Sequence, residues 1–125
     1  MSHIKKSVLV VDDEVNIVTA IEYILMDEDV TVFKAFDGEE GLLSAIQNKP
    51  DVIILDVMMP GMDGFTVAGK IRENETLHHT KILFLTAKGT PEDKKTGYGS
   101  GGELYVVKPF DNDILLEKVQ ELLSY

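Results

Sequence analysis

Four short apolar runs divide the chain: residues 8–11 (VLVV), 52–55 (VIIL), 82–85 (ILFL) and 104–107 (LYVV). Each is built from Val, Ile, Leu or an aromatic, and each stops at a polar or turn-forming residue. They lack the alternation that would put one face of a strand in water. They therefore read as strands buried on both faces, the condition of a parallel sheet covered on each side. Residues 30–35 (VTVFKA) make a fifth candidate, more mixed and so more peripheral.

Helical spacing fills the gaps between the runs. Ile17, Ile21, Ile24 and Leu25 recur at i, i+4, i+7 and i+8, and Leu42, Ala45 and Ile46 share a face within residues 38–48. Phe65, Ala68 and Ile71 fall at three-residue steps, and Leu115, Val119 and Leu122 follow Asp111, a good N-cap. Thr90-Pro91 has the form of a cap followed by proline at the first helical position. Gly97, Gly99, Gly101 and Gly102 crowd the end of that fourth segment. Glycine inside a helix costs about 1 kcal/mol relative to alanine, so this helix is expected to be short or to fray before Gly101. Strand then helix thus repeats five times, which predicts an α/β fold with a parallel sheet covered by helices on both sides, and right-handed crossovers leave few topologies.

Size and charge narrow the function. The chain's 125 residues suit a single domain, expected to span 1–125 with little tail beyond the last apolar position. There is no cysteine, so disulfides and thiolate metal sites are excluded. With 12 basic and 22 acidic residues the formal net charge is −10, which argues against direct contact with nucleic-acid phosphates. The apolar runs are too short to cross a bilayer, and the polar start does not have the form of a signal peptide. A cytoplasmic protein with no membrane partner is expected.

In open parallel sheets, ligands sit at the carboxyl ends of the strands. Here the first strand ends at Asp12 and Asp13, the third at Asp56, the fourth at Thr86, and the fifth at Lys108-Pro109. Were those four strands neighbours, all these side chains would meet at one rim. Taken singly, each has a plainer reading. An Asp after a strand is commonly a cap or turn residue, a Thr there is structural, and a Lys is a solvated charge. Five together at one rim are hard to explain as unrelated caps. Crowded carboxylates repel, and a hard divalent cation such as Mg²⁺ relieves that repulsion while keeping positions open. With Lys108 and the Thr86 hydroxyl opposite, the set would cradle a transferring phosphoryl group, and Asp56 would be its nucleophile.

The segments VLVVDDE (8–14), DVIILDVMMPGMDG (51–64), LTAK (85–88) and YVVKPF (105–110) together resemble the receiver domain of two-component response regulators. The resemblance covers nearly the whole chain, and as a combined pattern it is highly specific. It implies a flavodoxin-like (βα)5 fold, doubly wound, with five parallel strands in the order 2-1-3-4-5. It makes Asp56 the phosphoacceptor and Asp12 and Asp13 the acidic metal pair, with Asp13 the direct ligand. Met58 would add its backbone carbonyl, and Mn²⁺ could replace Mg²⁺. It makes Thr86 the switch hydroxyl, Tyr105 the aromatic that swings inward on activation, Lys108 the lysine of the pattern, and Lys108-Pro109 a cis bond. The donor would be a sensor histidine kinase or a histidine phosphotransfer protein. The output partner would bind the face made by the fourth helix, fifth strand and fifth helix. Such a domain is a signalling module, an enzyme only in catalysing its own phosphotransfer and dephosphorylation.

There are departures. Gly41 stands where alanine is usual, and Gly69 and the glycines from 97 to 102 are also uncommon. These bear on helix stability and the output face rather than on the chemistry. Met58 and Lys88 lie two residues beyond Asp56 and Thr86, at positions that tune phosphoryl lifetime in the family. Methionine cannot orient an attacking water, so a long-lived phosphoryl state is expected. The main rival is a metal-dependent phosphohydrolase of small esters working through an aspartyl phosphate. It usually needs a second carboxylate where Met58 stands. A nucleotide or flavin domain would need a glycine-rich turn after the first strand, where this chain has Asp12 and Asp13. The histidines His3, His78 and His79 have no spacing suited to zinc.

Overall fold

The computed structural model of the chain describes residues 5–87 and 104–124. The four apolar runs and the mixed fifth candidate form strands β1 (Lys6–Val11), β2 (Val30–Ala35), β3 (Val52–Asp56), β4 (Lys81–Thr86) and β5 (Leu104–Val107). All neighbouring pairs are parallel, in the order β2-β1-β3-β4-β5 that the resemblance implies. Every residue of β3 is buried, whereas only Ala35 of β2 is, which matches the peripheral reading of that strand. Helices α1 (Val15–Ile24), α2 (Gly38–Asn48) and α3 (Gly64–Glu73) and a C-terminal helix (Asn112–Leu123) cover the sheet. The expected fourth helix, with Thr90-Pro91 and the glycines from 97 to 102, lies outside the described residues.

Two cores sit on opposite faces of the sheet because strand side chains alternate. Leu9 and Val11 join Ile53 and Leu55 under α2 and α3, which contribute Ala45, Val67, Ala68 and Ile71. Val8 and Val10 join Val52 and Ile54 under α1 and the C-terminal helix, which contribute Val18, Ile21, Leu115, Val119 and Leu122. Both faces of the sheet are covered, so the strands can be apolar throughout. No described helix is long and apolar enough to cross a membrane.

Local chemistry sets the helix starts. Asp37 accepts from Glu40 N at 2.7 Å, Asp63 from Thr66 N at 2.8 Å, and Asp111 from Asp113 N and Ile114 N at 2.8 and 3.2 Å. Caps of this kind contribute about 1 kcal/mol each. Helix α1 differs: its N-cap is Glu14, whose side chain makes no capping bond.

Gly41 is not the defect that its place inside α2 suggests. A β-carbon there would lie 2.8 and 2.9 Å from the two γ-carbons of Val11. The glycine lets the helix seat closely on β1, and α2 runs unbroken. Gly69 is different, since a β-carbon there would meet nothing within 4 Å. A short 3-10 turn, Glu75–Leu77, buries Leu77 beneath α3, and the apolar pattern carries no signal for it. His78 and His79 are exposed, as expected for a loop, but His79 Nε2 lies 3.1 Å from the carbonyl oxygen of Lys49.

Candidate functional site: an acidic rim bridged by one lysine

Parallel strands place all their carboxyl ends on one edge of the sheet. Asp12 follows β1, Asp56 closes β3, Thr86 closes β4 and Lys108 follows β5. Because β1, β3, β4 and β5 are consecutive neighbours, these residues share one rim. Backbone bonds tie the strand ends together: Val57 N donates to the Leu85 carbonyl at 2.9 Å, and Lys108 N to the Thr86 carbonyl at 2.7 Å. The Lys108-Pro109 peptide is cis.

Asp12, Asp13 and Asp56 each offer an oxygen, and the three oxygens lie within 4.8 Å of one another. Asp12 and Asp56 are buried while Asp13 is exposed at the mouth. Lys108 Nζ reaches across them, 2.8 Å from Asp12 Oδ2 and 3.3 Å from Asp56 Oδ1. Backbone donors add to the hold on both carboxylates: Glu14 N donates to Asp12 Oδ1 at 2.9 Å and Met58 N to Asp56 Oδ1 at 3.3 Å. Thr86 is buried at the end of β4. Tyr105 is half-buried on β5, with its ring centroid 5.3 Å from that of Phe84, which in turn meets Phe65 of α3 at 5.1 Å.

The electrostatics leave room for a cation. Burial, and then the Asp12 charge, push the Asp56 carboxyl up from 3.8 to about 6, against the opposing pull of Lys108 and the Met58 N–H. Burial also works against the Lys108 charge, but Asp12 and then Asp56 outweigh it and hold the ammonium above its ordinary range. Asp12 Oδ2 is fully buried and, among the described residues, has the Lys108 ion pair but no aligned hydrogen bond. Among the described residues, three carboxylates facing one ammonium carry an excess of negative charge. An all-oxygen donor set with one exposed member fits a hard divalent cation with free coordination positions.

Comparison with known proteins agrees with this geometry. The family model described as the response regulator receiver domain matches residues 8–120. The chain belongs to the response-regulator receiver family. It is 39% identical over 116 residues to the response regulator ArlR of Staphylococcus saprophyticus, covering 93% of this chain and 51% of that protein. It is equally identical over 116 residues to RpaA of Synechocystis, named a DNA-binding dual master transcriptional regulator, covering 93% of this chain and 48% of that one. This receiver domain therefore spans about half the length of the curated relatives it matches. Among solved structures, the chemotaxis protein CheY4 of Vibrio cholerae superposes with a TM-score of 0.90 at 37% identity, covering 95% of this chain and 99% of that one. The Borrelia burgdorferi CheX-CheY-BeF3-Mg+2 complex matches with a TM-score of 0.87 at 29% identity, covering 94% and 89%.

The domain is thus a module of two-component signalling, and the phosphohydrolase reading is not favoured. The position that such an enzyme would fill with a carboxylate holds Met58, whose side chain points largely into solvent. One rim residue has no role readable from sequence. Glu14 belongs to the VLVVDDE segment, and its Oε1 lies 3.9 Å from Lys108 Nζ.

Proposed function

We propose that this receiver domain accepts a phosphoryl group on Asp56, with Mg²⁺ held by Asp12, Asp13, Asp56 and the Met58 carbonyl. The observation that carries the reading is the reach of one lysine over two buried carboxylates, 2.8 Å from one and 3.3 Å from the other, beside an exposed third. The magnesium of the Borrelia CheX-CheY-BeF3-Mg+2 complex supports the choice of ion, and Mn²⁺ can take its place. When bound, the cation neutralises charge on the phosphoryl oxygens.

The chain's own groups do the rest. An Asp56 oxygen attacks phosphorus, the bond to the donor nitrogen breaks, and an acyl phosphate forms. Lys108 turns from the carboxylates to a phosphoryl oxygen, and the Thr86 hydroxyl donates to another. The donor is a phosphohistidine on a sensor kinase or phosphotransfer protein. The domain catalyses its own loading and, more slowly, its own hydrolysis. Drawing Thr86 toward the phosphoryl group vacates space that Tyr105 fills. That reshapes the face around β5 which an output partner or effector domain reads, a two-state change needing only a few kcal/mol of bias.

The test is incubation with acetyl phosphate and Mg²⁺, followed by intact mass. One phosphoryl mass should appear, and both Asp56→Asn and chelation should abolish it. A phosphoryl adduct that persists on Asp56→Asn removes the assignment.

A further inference from the structure

Lys108 has three anionic neighbours, and the third has no part in the reaction just described. Glu14 Oε1 lies 3.9 Å from the ammonium, and its side chain is 64% exposed against 15% for Lys108. The other described helices start on an aspartate that caps them. Glu14 holds the N-cap position of α1 with its carboxylate uncommitted to the helix. Its backbone N–H orients Asp12 through Oδ1. The side chain thus stands at the mouth of the site, a carboxylate beside the Lys108 ammonium that an incoming phosphoryl group would engage.

We propose that Glu14 is a specificity-determining residue, a charge filter that disfavours small dianionic phosphodonors relative to donors of lower charge. The inference rests on Asp56 being the acceptor. Two effects act in the same direction. The carboxylate competes with incoming phosphoryl oxygens for Lys108, and it repels the donor by simple Coulomb interaction, which scales with donor charge.

Two donors separate these charges. Acetyl phosphate is a dianion near neutral pH. Its transfer forms the Asp56 oxygen–phosphorus bond, breaks the phosphorus–oxygen bond and releases acetate. Phosphoramidate carries one net negative charge because its nitrogen is protonated. Its transfer breaks the phosphorus–nitrogen bond and releases ammonia, with the proton already on the leaving group. Both end at the same acyl phosphate.

The experiment measures the loading rate of wild type and Glu14→Gln at saturating Mg²⁺ with each donor, at low and high salt, by intact mass. Glu14→Gln should load about threefold faster or more from acetyl phosphate at low salt, and distinctly less so from phosphoramidate. The gain should shrink as salt rises. A merely structural role for Glu14 would change both donors alike. Equal acceleration with both donors, no acceleration with either, or a gain unaffected by salt overturns the filter. A wild-type chain that gains no mass on Asp56 from either donor overturns the acceptor assignment, and the filter with it.

Discussion

Asp56 is held in its charged form at the expense of the fold, and removing that charge should show it. Its carboxyl is raised from 3.8 to about 6, first by burial and then by Asp12. Between those two values the native chain binds more protons than the unfolded chain, so stability falls as pH rises through the window. Above pH 6 the full penalty is present. At about 1.4 kcal/mol per tenfold change in proton affinity, it comes to about 3 kcal/mol. Asp56 is 2% exposed, so solvent does little to screen it. An asparagine side chain has nearly the shape of a neutral aspartic acid, and Lys108 keeps Asp12 as a partner at 2.8 Å. The metal-free Asp56→Asn variant should therefore be more stable than wild type by about 3 kcal/mol near pH 7.5, and the gap should close toward pH 4. Urea unfolding followed by circular dichroism in the presence of a chelator, at several pH values across this range, measures the gap directly. Mg²⁺ should narrow it by stabilising wild type more than the variant. A gap that is absent, or that holds constant with pH, would refute the account of why Asp56 is raised.

Other outcomes follow from neighbouring contacts. Gly41→Ala should destabilise the domain by about 1–3 kcal/mol, since the new methyl meets Val11 at 2.8 Å. Adding Val11→Ala should recover part of that loss in the same urea titration. Gly69→Ala, which meets only open space, should stabilise by about 0.5–1 kcal/mol, read as a higher unfolding midpoint. Met58→Asn should shorten the phosphoryl lifetime by roughly threefold or more, a barrier change of about 0.7 kcal/mol, because the amide can orient water where the thioether cannot. Equal decay of the two proteins in a timed mass assay removes that explanation.

The sheet was legible because its information is local. Residues 52–55 and 82–85 announce doubly buried strands by being apolar without interruption, and β2 announces an edge by being mixed. Asp111 marked the start of the last helix through a bond made within three residues. The order of the strands came from resemblance, since nothing in the runs themselves says that β1 lies between β2 and β3. Where a residue's meaning depends on a distant partner, the chain gave no sign. Gly41 is explained only by the Val11 side chain, far off in sequence on another element. The turn that buries Leu77 was hidden in a polar stretch, because a single apolar residue has no period. The rim acids were legible as strand-end residues, but Glu14 could not be told from a solvated helix start until Lys108 was placed beside it.

Gly64 carries a consequence for how a signal can leave this domain. A β-carbon there would overlap the Asp56 carbonyl oxygen and lie 2.9 Å from Val57 Cα, and Gly64 N donates to the Val57 carbonyl at 3.1 Å. The first residue of α3 is therefore packed directly against the strand end that bears Asp56. On the proposed function, the start of that helix can shift little without disturbing the strand end at Asp56, so it would be the fixed side of the switch. The movement proposed for Thr86 and Tyr105 would then run the other way, across β4 toward β5, the neighbouring strands that carry them.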